Sequence, residues 1–269
     1  MGEPIIAIVE ITSIALMANV DIKRESRGAN DEQQNETLDI IHHAFTLAQD
    51  GKLYLAPISK DIEKAVDIGT GTGIWAIQID DFTQEWTFPD NSLDYVHLRW
   101  LIGCVTDWTL LFQQAYRSLK PGGWIETFEC NGFFESDDGT VTEKTAAAQW
   151  GILFREGAKK LGSTASFTVV RDGAQKKSLE EAGFIHIQEQ PFKIPASGWA
   201  KDPKLKEIGT YNRAAIENDI EGTVGFSATQ LGWTRDDIVM YAVQLRKELR
   251  QGKVHAYYKS NAAWAQKPQ

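Results

Sequence analysis

Apolar and polar positions change period several times along the chain, and each change marks an element. An apolar run near the N-terminus gives way to IKRESRGANDEQQNE (22–36), polar and without period, which predicts a linker or loop. In ETLDIIHHAFTLAQDG, residues Leu38, Ile41, Ala44, Phe45 and Ala48 recur at helical spacing before Gly51, predicting a helix over about 36–50. Ala65–Ile68 is short and apolar, as a buried parallel strand requires. LDYVHL (93–98) reads as a strand entered through the turn at 88–92. TDWTLLFQQAYRSLK reads as a helix capped by Asp107 or Thr106, with PGG (121–123) expected to end it and WIETFEC (124–130) following as a strand. Two more helices are expected in EKTAAAQWGILFREGAKKL and DGAQKKSLEEAGF, then a strand in FIHIQEQPFKI. Residues 203–251 are helical by pattern with breaks near Gly222–Gly225 and Gly232, and KVHAYYKSNAAWAQ is the last strand.

Strands alternating with helices predict an open α/β sheet, mostly parallel. The expected organisation is a variable segment over 1–35 and one domain over 36–269, in which 203–251 forms a helical lid before the last strand. Formal net charge is -9, so the overall field repels nucleic acid and anionic lipid. Neither is an expected partner. Two cysteines and five scattered histidines give no disulfide framework and no zinc spacing, so no metal site is expected. His42 and His43 are adjacent on the predicted helix and face different directions, which disfavours a shared ion. The N-terminal apolar run lacks a basic flank and is interrupted by Glu10. No apolar run reaches the ~18 residues that cross a bilayer. The expectation is an intracellular protein, cytoplasmic or nuclear.

Chemistry concentrates in VDIGTGTGIWAIQIDDFTQEW (66–86). Gly69, Gly71 and Gly73 directly after a strand allow a tight turn and let a ligand approach free backbone N–H groups. Asp67 at the strand end suits a cationic amine. No Lys-Ser/Thr follows, so the loop is not a Walker-type phosphate loop.

The block KAVDIGTGTGIWAI, then IDDFTQEWTFPDNSLDYVHLRWLIGCVTDWTLLFQQAYRSLKPGGWIETFE, resembles class I S-adenosylmethionine-dependent methyltransferases, and in particular the fungal LaeA-type subgroup associated with secondary metabolism. The resemblance extends to HHAFTLAQDGKLYLAPI, GWAKDPKLKEIG and VHAYY, covering most of residues 36–268. It implies a Rossmann-like sheet and S-adenosylmethionine as cofactor, with a small-molecule acceptor of the methyl group. In such a family Asp67, Gly69, Gly71 and Gly73 contact the methionine moiety and Asp81 with Phe82 grips the adenine. His97 and Arg99 then lie beside the methyl group, with His97 the candidate general base, against the plainer reading of a core histidine. Glu129, at the C-terminal end of its strand, faces either a ligand or solvent at a turn edge. Trp75, Trp86 and Trp100 line an aromatic acceptor pocket or pack the core.

The spacing departs from the family. Gly73 and Asp80 are seven residues apart, whereas a strand-helix-strand crossover needs about 10 to 12. The second and third family strands, and the ribose-binding acid between them, are expected to be missing. The 25 residues from Ile68 to Leu93 suffice for a direct crossover between the first and fourth family strands. That leaves an unpaired edge on the first, and PIIAIVEITSIAL or a partner protein is expected to cover it. Two functions stay open: methyl transfer, or a pseudoenzyme that binds a regulatory partner or orients a biosynthetic intermediate without the cofactor. An omitted coding segment near Ile77 and Gln78 would leave the same junction.

Overall fold

Parallel strands at the centre of the molecule carry the candidate residues. The structure is a computed structural model that describes residues 5–9, 32–59, 61–68 and 85–269. The described elements are β1 (Ile5–Val9), α1 (Glu32–Ala48), β2 (Lys64–Ile68), β3 (Leu93–Arg99), α2 (Trp108–Ser118), β4 (Leu119–Cys130), α3 (Ala146–Lys160), α4 (Ala174–Glu181), β5 (Ile185–Pro195), α5 (Pro203–Asn218), α6 (Ile220–Gln230), α7 (Arg235–Gln251) and β6 (Tyr257–Gln266). The strands form one sheet in the order β1-β2-β3-β4-β6-β5. Pairing is parallel from β1 through β4, and β6 runs antiparallel to both its neighbours.

The N-terminal strand lies where the free edge was expected. Ile5–Val9 pairs in parallel with Lys64–Ile68 over five residues, so the backbone donors and acceptors on that side of β2 are satisfied from within the chain.

Period-2 alternation gives the sheet two different faces. Val66, Ile68, Val96, Leu98 and Ile125 point to one, where they pack with Leu111, Phe112 and Ala115 of α2 and Leu179 of α4. The opposite face carries Tyr95 and Phe128 into a second core with Ala44 and Phe45 of α1. Phe45 lies 4.9 Å from both Phe128 and Trp100, ring centre to ring centre. Ile208, Val224, Ala242 and Leu245 belong to the same second core, so α5–α7 are continuous with the domain interior. α1 packs on α5, and α3 on α6 and α7.

Two sequence expectations are corrected. PGG does not stop a helix: α2 ends at Ser118, and Pro121–Gly123 lies inside β4. There the register steps from Leu93↔Leu119 to Tyr95↔Trp124, so β4 has extra residues that bulge out, with Gly122 at φ +77°. Gly222 and Gly225 do not break a helix either. The break is at Asp219, whose side chain accepts from the Gly222 N–H at 2.7 Å and starts α6. Asp107 caps α2 as expected, accepting from the Leu110 N–H at 2.9 Å.

Candidate functional site

Asp67 of β2 and His97 of β3 are register partners on the face turned toward α1, and His97 is in turn opposite Glu126 of β4. The Asp67 and His97 side chains meet at 2.7 Å, Nδ1 to Oδ1. A carboxylate accepts only, so Nδ1 carries the proton in this contact, and in the neutral ring Nε2 is left as acceptor. Burial alone would raise the Asp67 pKa, but the charge and hydrogen bond of His97, with Arg99 and His42 nearby, outweigh it and hold the carboxyl below its usual range. Asp67 is therefore an anion at neutral pH. Arg99 extends the cluster to α1, its guanidinium lying 2.8 Å from Nδ1 of His42. Burial and the Arg99 charge lower the His42 pKa, so that ring is neutral and accepts. His43 instead stacks edge-on with Tyr211, in keeping with neighbours that diverge on a helix.

Two buried carboxylates on β4 brace the loops around this row. Glu126 accepts from the N–H groups of Leu55 (2.8 Å) and Ala56 (2.6 Å) and lies 3.3 Å from the Tyr95 hydroxyl, fixing the segment after α1 onto the sheet. Glu129 accepts from the Leu101 N–H at 3.0 and 3.1 Å. It is fully buried, which corrects the solvated turn-edge reading. Burial pushes its pKa up to about 8, and the Leu101 and Ile102 N–H groups only partly oppose that. The turn it holds is strained: Trp100 has φ +59°, a left-handed conformation uncommon for a large side chain. Trp100 N–H donates to the Phe128 carbonyl at 3.0 Å. Pinned on both sides, the turn presents Trp100 and Ile102 to a cavity.

That cavity, of about 180 Å³, opens beyond the C-terminal ends of β3 and β4, between them and helices α1, α3, α5 and α6. Its walls are mainly apolar and aromatic, including Trp100, Phe134, Trp150, Phe154, Phe167 and Tyr258. Phe134 and Phe154 flank Trp150 at 5.7 and 5.3 Å. The C-terminal edge of a parallel sheet is where open α/β folds place ligands. A concave apolar site with few polar groups is the usual form of a small-molecule pocket.

Of the residues expected from sequence, Asp67 and His97 are brought together, and Arg99 acts on Asp67 through its charge. Gly69, Gly71, Gly73, Asp81, Phe82 and Trp75 lie outside the described residues. Trp100 lines the cavity; Trp86 is buried against Phe88 instead. His97 is not among the lining residues. Sequence reasoning missed the bracing role of Glu126 and the presence of Asn131 on the cavity wall. One signal was available for the wall: Trp150 and Phe154 are spaced i, i+4 on α3, which puts both on one side of that helix. Among the described residues no group of three or more acidic, His or Cys side chains could hold a metal ion, and no helix is long and apolar enough to cross a membrane.

A family model described as a methyltransferase domain matches residues 76–184. Methyltransferase pytC of Aspergillus terreus is 31% identical over 274 aligned positions, covering 89% of this chain and 82% of its own length. A probable methyltransferase, tdiE of Emericella nidulans, is 29% identical, with 87% and 82% covered. The secondary metabolism regulator LAE1 of Cochliobolus heterostrophus is 28% identical, with 89% of each chain covered. A likeness that covers nearly nine-tenths of the chain, at 31% identity to pytC, places this protein in the methyltransferase family that includes pytC.

Proposed function

We propose that the protein transfers a methyl group from S-adenosylmethionine to a small molecule of fungal secondary metabolism. The observation that carries this reading is an ionised Asp67 at the C-terminal end of β2, on the same sheet edge as an aromatic cavity large enough for an organic acceptor. Asp67 fits the cationic amine of the cofactor: its side chain keeps 27% of its surface exposed, and an anion there gains a charge-assisted hydrogen bond. When bound, the cofactor supplies a sulfonium-activated, electrophilic methyl group. The chain's own residues then hold and align. His97 fixes the Asp67 carboxylate through Nδ1–H, a positioning role, since it does not line the cavity that would hold the acceptor. Glu129 holds the turn that carries Trp100 and Ile102, and the aromatic walls keep water from the acceptor. Helices α5 and α6 supply one wall through Asn212, Ile216 and Phe226, which is the basis for reading 203–251 as the acceptor-selecting lid.

Calorimetry with S-adenosylmethionine tests the reading. Saturable binding is expected, weakened roughly 10-fold or more in Asp67→Asn, the scale of one charged hydrogen bond. If the wild-type chain takes up no cofactor while aromatic compounds still enter the cavity, the cofactor-free binding protein becomes the better account. Equal cofactor affinity in wild type and Asp67→Asn would remove Asp67 from the site.

A further inference from the structure

The ends of β2 and β3 carry opposite charges that do not meet. Arg99 closes β3 two residues beyond His97, so both side chains leave the sheet on the face toward α1. Asp67 is the register partner of His97, which sets Arg99 diagonally from it. The Cα atoms are then offset by about 4.8 Å across the sheet and roughly 6.6 Å along it, a span that long side chains reach across. Among the described residues no carboxylate forms an ion pair with Arg99, and Asp67 acts on it through charge alone. A guanidinium cannot shed its proton, and Arg99 is half-buried, so a counter-charge is expected beside it.

Each charge is fixed by one histidine and open on its other side. Asp67 Oδ1 accepts from His97 Nδ1–H at 2.7 Å, while Oδ2 has no partner among the described residues and the side chain keeps 27% of its surface exposed. Arg99 Nη1 donates to His42 Nδ1 at 2.8 Å. Its Nε and Nη2 have no partner among the described residues either, yet neither is a sealed polar atom, so both reach solvent. Those two nitrogens form one edge of the guanidinium, the edge whose parallel N–H groups match a carboxylate in bidentate fashion. A ligand that satisfies both residues must offer a cation to Asp67 and a planar anion to Arg99 within one small group. A lone cation would be repelled by Arg99 and a lone anion by Asp67. An α-amino acid, with ammonium and carboxylate on one carbon, meets both demands.

We infer that Arg99 is the carboxylate half of an amino-acid clamp: its Nε–H and Nη2–H edge donates to the α-carboxylate at the methionine end of S-adenosylmethionine, while Asp67 Oδ2 accepts from the α-ammonium. This rests on the methyl-transfer reading, and it moves Arg99 from beside the methyl group, where the family resemblance set it, to the amino-acid end of the cofactor. His97 and His42 then have matching tasks, each turning one charge of the clamp toward the ligand.

The test is calorimetry on the full chain with S-adenosylmethionine and with its decarboxylated form, which keeps the sulfonium, the adenosine and the amine and lacks the carboxylate. The wild-type protein is expected to bind the intact cofactor roughly 10- to 100-fold tighter, the scale of a charged hydrogen-bonded contact. Arg99→Met, which keeps an unbranched stem without the charge, should weaken S-adenosylmethionine by that factor and bind the decarboxylated form no worse than the wild type does. Arg99→Lys keeps the charge but not the fork and should retain an intermediate preference. Asp67→Asn should weaken both ligands alike, since both carry the amine. Equal affinity of the two ligands for the wild type would overturn the inference while leaving cofactor binding intact, and that comparison needs no variant to fold. Parallel loss of both ligands in an Arg99→Met chain with unchanged circular dichroism would also overturn it, showing that Arg99 only braces α1. Binding of neither ligand by the wild type would remove the methyl-transfer reading together with the inference.

Discussion

Glu129 shows how much one buried group decides. Its pKa is raised from 4.5 to about 8 by burial, so between those values the folded protein holds a proton that the unfolded chain has released. Stability from this group therefore falls as pH rises from about 4.5 to about 8 and is flat above. Asp67 has the opposite sign: its folded pKa lies below 3.8, and its contribution is present above that value and lost as pH falls through the lower, folded one. Glu129→Gln should thus flatten the decline between pH 5 and pH 8, a relative gain of roughly a few kcal/mol at the alkaline end, measured by urea denaturation across that range. An unchanged pH profile would mean that Glu129 is solvated after all. None of this was legible from WIETFEC. A carboxylate alternating with apolar residues defaults to a surface assignment, and what overrules the default is a backbone N–H donor at Leu101, 28 residues away. Asp107 was legible, because its partner is three residues on.

Elements were easiest to read where local chemistry alone sets their ends, and glycine was the main source of error. PGG and the pair Gly222 and Gly225 look like stops, yet the first lies in a strand bulge and the second inside α6. The reason a glycine is present differs by position, and two helical glycines give opposite predictions. At Gly209 of α5 an added Cβ would fall on the Ser197 carbonyl, backbone that cannot yield cheaply, and lie 3.0 Å from Pro195. Gly209→Ala should destabilise the protein by about 1–2 kcal/mol, an overpacking cost of about 1–3 partly offset by better helix propensity. At Gly225 of α6 nothing lies within 4 Å, so Gly225→Ala should stabilise by about 0.5–1 kcal/mol. Equilibrium denaturation of both variants decides. A stabilised Gly209→Ala would show that α5 does not pack tightly on the end of β5, where Asn212 anchors the cavity wall to Pro195.

At the scale of the whole molecule, the short interval between the glycine loop and β3 raised the expectation of an open sheet edge covered by the apolar N-terminal run, and Ile5–Val9 of that run does pair with β2. What the sequence could not specify was direction, because five apolar residues fit either a parallel or an antiparallel ladder. The structure sets Ile5–Val9 parallel to β2, in register from Ile5↔Lys64 to Val9↔Ile68. The candidate site depends on this edge, since Asp67 is one residue from the end of β2 and its backbone is opposite Ile8. A chain lacking residues 2–9 should expose one side of β2, a template for pairing with other chains. Three outcomes are expected together. Amides of Lys64–Ile68 should exchange faster with solvent, because the strand loses a neighbour on one side. Size-exclusion chromatography should show association that rises with concentration, and cofactor affinity should weaken as Asp67 loses its fixed position. A truncated chain that stays monomeric, protects 64–68 as before and binds S-adenosylmethionine equally well would show that the N-terminal strand is dispensable, and that β2 is held in place by β3 alone.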